Sequence, residues 1–162
     1  MKPLPLVAAL FVAPIVLAQH RHVHGEGMLD VAIDRDMISL SLELPLDATV
    51  GFEHAPKNDK ERTTLAATEQ VLKGAAVLFI PTPEAKCTPA EVKVGMPNFD
   101  GNGHADIEAD YVFRCANPAA LKGIDTALFT QFKRLYRLEA RRTGPTGQGA
   151  ARLTPKKPVL NW

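Results

Sequence analysis

Leu29, Val31 and Ile33 alternate with polar or small residues, and Ile38, Leu40, Leu42 and Leu44 do the same after a short DRD link. Side chains of a strand point alternately to opposite faces, so the two runs predict a β-hairpin with one buried face, ended by Pro45. The spacing changes beyond GFEHAP. Leu65, Thr68, Val71 and Leu72 share one side of a helix predicted over residues 59–73, capped by Asn58 with Glu61 three residues on, and stopped at Gly74. AVLFI, residues 76–80, reads as a short buried strand cut off by Pro81 and Pro83, and residues 90–95 as a weaker one. PNFDGNG has the composition of a loop.

In ADIEADYVFRC the alternation returns. Ile107, Ala109, Tyr111, Phe113 and Cys115 face one way, and His104, Asp106, Glu108 and Asp110 face the other, as an acidic ladder on the solvent side. Leu121, Ile124, Leu128, Phe132 and Leu135 follow helical spacing and predict a second helix. Strands are expected over residues 136–142 and 150–153 around TGPTGQG, then an extended tail. Hairpins dominate and no alternation of strands and helices of the parallel type occurs. The expected class is α+β, a mostly antiparallel sheet of hairpins with two helices.

The first 18 residues carry one charge, Lys2, and an apolar run from Leu4 to Ala18 broken by Pro5 and Pro14. A membrane span needs about 20 apolar residues. Val16 and Ala18 satisfy the small-residue rule at a cleavage site, so residues 1–18 read as a signal peptide cut after Ala18, with an uncleaved anchor as the alternative. Residues 19–27 are then expected to be a mobile, histidine-rich arm and residues 28–162 a single domain. The chain is expected to be exported and soluble, without membrane insertion after cleavage. In an oxidising compartment the isolated pair Cys87 and Cys115 predicts a disulfide, two thiolate zinc ligands being the other reading.

Charge is unevenly spread. Residues 19–120 hold 16 Asp and Glu against 9 Lys and Arg, whereas residues 121–162 hold 9 Lys and Arg against 2 Asp and Glu. The basic end can pair with the acidic body or meet an acidic partner. Net basicity with interleaved aromatics, which nucleic-acid binding asks for, is missing.

QHRHVHGEG sets His20, His22 and His24 at alternate positions, three of the chain's five histidines. In an extended chain their imidazoles project from one side, where two or three can close on one ion, with Glu26 as a further oxygen donor. Neutral imidazole suits Zn2+, Cu2+ and Ni2+. Cleavage after Gln19 would instead make His22 the third residue of an amino-terminal copper or nickel site. A histidine-rich polar tail is the plain alternative. His104 with Asp106, two residues apart on one strand face, is a second candidate pair, and His54 in GFEH a third candidate. Signatures of metalloproteases, serine hydrolases, P-loop proteins and dinucleotide-binding folds are missing, so no enzyme and no catalytic residue is expected.

In the order HVHGEGMLDVAI, SLELPLDATVGFEHAPKNDKE, a Cys, HADIEADYVFRC, TALFTQF and GQGAARLTP, the chain resembles the ZrgA-type zinc-regulated periplasmic proteins. The likeness covers nearly all of residues 19–162. It implies a Gram-negative periplasmic protein that binds Zn2+ and works with an ABC-type zinc importer. His22, His24, Glu53, His54, Cys87 and Cys115 match the family's pattern. One departure is plain: a long His/Asp/Glu-rich loop before the aromatic strand has shrunk to NFDGNGHADIEAD, with His104 as its one histidine. A single site, or none, is therefore expected in place of a large zinc-gathering capacity. The resulting expectation is a zinc-binding accessory protein that delivers Zn2+ to an importer. The alternatives are a copper- or nickel-handling protein, and a metal-free envelope interaction module that docks through its basic C-terminal surface.

Overall fold

The computed structural model describes residues 23–99 and 105–162, so His20, His22 and His104 lie outside the described residues. The predicted hairpin is present as β1 (Glu26–Asp34) and β2 (Met37–Pro45), in antiparallel register with Val31 opposite Leu40. A single helical turn, α1 (Leu46–Thr49), follows Pro45 directly.

Helix α2 (Asp59–Leu72) is the predicted long helix. The Asn58 side chain accepts from the Glu61 backbone N–H at 2.9 Å, and the Glu61 carboxylate reaches back to the Lys57 N–H at 2.7 Å. That is a capping box displaced by one residue. The Lys57 N–H, followed among the favourable contacts by the Asn58 side chain, holds the Glu61 carboxyl below its ordinary range. Thr68 and Leu72 are buried, with Leu65 and Val71 packed at the margin.

Two expectations are corrected. AVLFI is not one strand: α3 (Ala75–Leu78) is a helical turn begun at Gly74, and only β3 (Phe79–Pro81) is extended. The second helix is one turn, α4 (Leu128–Gln131), preceded by the strand β6 (Gly123–Thr126). Its helical spacing was coincidental: Leu121, Ile124, Leu128, Phe132 and Leu135 are all buried, but on successive short elements. β6 is extended because it hydrogen-bonds β3 on one side and β9 (Val159–Asn161) on the other.

The remaining strands are β4 (Cys87–Gly95), β5 (Asp106–Cys115), β7 (Arg137–Gly144) and β8 (Gly147–Leu153). The described residues make a six-stranded sheet, ordered β4-β5-β2-β1-β7-β8, and a three-stranded sheet, ordered β3-β6-β9. β1 and β7 run parallel and the other pairings are antiparallel, as the α+β reading anticipated. Cys87 and Cys115 are register partners on β4 and β5 and form the expected disulfide.

Alternation along β1, β2, β5 and β7 sends Leu29, Leu40, Tyr111 and Leu138 to one face, where they are fully buried. The ring of Phe79 meets Tyr111 edge-on at 5.0 Å, and the Tyr111 hydroxyl donates to the Leu72 carbonyl, so α2 and the small sheet cover this face. The other face is polar. There Arg141 forms a two-bond pair with Asp30 at 2.7 Å, and Arg152 donates to Glu139 at 2.9 Å. Two of the nine basic C-terminal residues, Arg137 and Arg141, thus pair with the acidic body of the same chain, and Arg152 pairs with Glu139 within the C-terminal segment.

Candidate metal centre

The register of the hairpin builds the site. Met28 stands opposite Glu43, so the chain just before β1 lies beside the chain just after β2. Four residues further out on each side are His24 and Asp47. Residues 23–26 form a turn closed by the Glu26 N–H on the Val23 carbonyl, 3.0 Å. Gly25 takes φ +72°, a left-handed value that strains any residue with a Cβ. His24 is thus held at a turn tip, and Glu26 and Gly27, expected in a mobile arm, are the first residues of β1.

On the other side, Leu46 and Ala48 of α1 are fully buried, which turns the intervening Asp47 towards the margin of the fold. The Gly51 N–H then bonds the Asp47 carbonyl at 3.1 Å, and Gly51 reverses the chain with φ +89°. Glu53 follows two residues later. Nδ1 of His24 lies 3.3 Å from Oδ2 of Asp47 and 3.2 Å from Oε1 of Glu53. The three donor atoms all lie within 4.8 Å of one another.

These separations have chemical meaning. Zinc bonds nitrogen and oxygen donors at about 2.0–2.2 Å in a tetrahedron, which sets neighbouring donors roughly 3.3–3.5 Å apart. Two donor pairs here, at 3.2 and 3.3 Å, stand close to that spacing. A neutral imidazole nitrogen carries at most one proton, and it faces two carboxylates. The second oxygen of Asp47, Oδ1, is buried and has no hydrogen-bond partner. A buried carboxylate oxygen left so is costly, and a bound cation offsets that cost. One imidazole and two carboxylates therefore fit a divalent metal.

The other expected residues are placed as follows. Glu53 is in the trio. His54, beside it in sequence, is not: its ring stacks on Phe52 with centroids 5.1 Å apart. Its Nδ1 lies 2.9 Å from the Ala55 carbonyl. Glu26 is occupied elsewhere, pairing with Arg137 and accepting from the Tyr136 hydroxyl at 3.0 Å. Partial desolvation and then that hydrogen bond hold the Tyr136 phenol above its ordinary range. Asp106 opens β5 opposite Pro45, and the neighbouring Ala105 carbonyl accepts from the Leu46 N–H at 2.9 Å. Asp47 is the residue that histidine-led reading missed. The signal was available: extending the hairpin register outward reaches it.

Among the described residues no helix is long and apolar enough to cross a membrane. Comparison with curated proteins returns no match. A family model described as "ZrgA family zinc uptake protein" matches residues 21–162, which takes in the turn, both carboxylates and both cysteines. The match spans far more than half of the sequence, and the chain belongs to the ZrgA family of zinc uptake proteins.

Proposed function

We propose that this protein is a periplasmic zinc carrier that captures Zn2+ at His24, Asp47 and Glu53 and passes it to an ABC-type importer. Zinc is the cargo, and the reading is of a carrier rather than an enzyme. Membership of a zinc uptake family supports the metal, and the disulfide supports an oxidising compartment. The single observation that carries the assignment is the spacing of the trio, 3.2 and 3.3 Å from one imidazole nitrogen to two carboxylate oxygens.

Three protein donors leave a fourth position, as in zinc sites that exchange their metal or bind water. We assign that position to His22, two residues before His24 in the sequence. His20 and His104 with Asp106 are its reserves, and His54 stands outside the first set of ligands. Three of the nine cations on which the metal-free docking alternative relies, Arg137, Arg141 and Arg152, are engaged by Glu26, Asp30 and Glu139 of the same chain.

Calorimetric zinc titration of the exported protein tests the reading, with His24→Ala alongside. The variant is expected to bind about 100-fold more weakly, equivalent to about 2.7 kcal/mol. Equal affinity in the two proteins would remove His24 from the site and the proposal with it. Parallel titrations with Cu2+ and Ni2+ rank the competing cargoes.

A further inference from the structure

We infer that residues 134–137 are a positioning bracket for the metal centre, joining the turn that carries His24 to the loop that carries Asp47 and Glu53. The inference rests on the zinc-binding reading above. The donors come from two separate stretches of chain, and a metal centre needs its donors held to within about 0.5 Å. Something must fix one stretch against the other. The strand register brings them together only as far as Met28 and Glu43.

Beyond that point the bracket takes over. The Tyr136 N–H donates to the Gly25 carbonyl at 3.0 Å. The Tyr136 ring lies so close over Gly25 that a Cβ there would stand 2.4 Å from Cε1. The Tyr136 hydroxyl donates to Glu26, and Arg137 pairs with the same carboxylate. So one end of the bracket grips the turn on both sides of Gly25.

Arg134 grips the other half. Its guanidinium lies against Gly51, where an added Cβ would stand 2.9 Å from Nε. Gly51 lies between Asp47 and Glu53 and bonds the Asp47 carbonyl. Between the two grips, Leu135 is buried at 1% exposure and pegs the bracket to the core. Both contact points are glycines with positive φ, so each half of the site offers a bare backbone surface where the bracket packs.

A role in the fold alone would also explain these contacts, so the test must read the metal's geometry. Co2+ is the probe, with its visible absorption spectrum recorded beside its affinity and that of Zn2+. Tyr136→Ala is expected to weaken both metals by about 10-fold or more, the scale seen when a group supporting a ligand is lost. Its Co2+ spectrum should change, while far-ultraviolet circular dichroism stays that of the folded protein. Tyr136→Phe keeps the ring over Gly25 and is expected to restore affinity to within about 3-fold, under 1 kcal/mol. Arg134→Ala removes an exposed side chain that the core does not need, so it keeps the test open should Tyr136→Ala fail to fold. It too should weaken Co2+ and alter its spectrum.

If His24→Ala loses zinc while Arg134→Ala and Tyr136→Ala bind Co2+ with the affinity and spectrum of the wild type, the bracket is wrong and the site stands. If His24→Ala itself binds as the wild type does, the metal centre is wrong and the bracket falls with it.

Discussion

Nδ1 of His24 and Oδ2 of Asp47 meet at 3.3 Å, each four residues beyond the outermost pair of the hairpin, Met28 with Glu43. Only one carboxylate oxygen of Asp47 is used there, the other being buried without a partner. Asp47→Asn therefore separates two effects. Zinc affinity should fall by about 30-fold or more, equivalent to about 2 kcal/mol. The metal-free protein should be no less stable, since a half-buried carboxylate with one unpartnered oxygen has been removed. Thermal unfolding with and without zinc checks both signs. Loss of stability in the metal-free variant with the zinc-induced rise in Tm intact would make Asp47 structural.

Zinc and protons compete for Nδ1 of His24. A ligand that binds only the folded state stabilises it by an amount that grows with concentration over Kd. The zinc-induced rise in Tm should therefore shrink as the solution is acidified, because metal ligands must be deprotonated to bind. A rise that is flat between about pH 7 and pH 5 would point to a site of carboxylates alone.

Glu61 gives a second pH signature, of separate origin. Its carboxyl is held below the ordinary value mainly by the Lys57 N–H. A depressed folded-state value means that the contribution is present above the unfolded-state value and is lost as pH falls through the folded one. Glu61→Gln should therefore be less stable than the wild type near neutral pH, with the gap closing towards about pH 3. Chemical denaturation across that range measures it, and a gap independent of pH would assign the effect to the shape of the side chain.

How much was legible followed from how local each signal is. The hairpin, α2 and β5 could be read because single residues report their own face, as Leu40 and Tyr111 do by alternation. β6 could not be read, since its extended form depends on β3 and β9, which approach from distant parts of the chain. In the site, His24 announced itself through residue type and Glu53 through the family resemblance. Asp47 carries an ordinary residue type, and only counting outward from the paired Met28 and Glu43 reaches it. Gly25 and Gly51 were likewise silent, because their importance lies in what packs where their Cβ atoms would be.

The disulfide should matter to the fold and not to the metal. Cys87 and Cys115 are 28 residues apart and clamp the edge strand β4 to β5. Closing a loop of this length stabilises the folded state by up to roughly 3.6 kcal/mol in the chain-entropy picture. The double variant Cys87→Ala, Cys115→Ala should lose stability up to that amount in denaturant titrations. His24, Asp47 and Glu53 all lie outside β4 and β5, so zinc affinity under native conditions should stay within about 3-fold, less than 1 kcal/mol. A larger loss of zinc would tie the sulfur pair to the metal.

Tyr111 offers the complementary separation from inside the core. Its ring packs edge-on against Phe79, and its hydroxyl donates at 2.9 Å to the carbonyl of Leu72, the last residue of α2. Carbonyls at a helix end have no partner within the helix, so this bond satisfies a group that would otherwise be buried unpaired. Burial, with the Asp110 charge adding to it, drives the phenol well above its ordinary range and keeps it a donor across the whole working pH range. Tyr111→Phe retains the ring and removes the donor. It should lower stability by about 1–3 kcal/mol, the cost of an unsatisfied buried acceptor. Amide exchange should quicken at the C-terminal turn of α2, and zinc affinity should not move. Unchanged stability would mean that another donor, such as a water molecule, takes the place of the hydroxyl on Leu72.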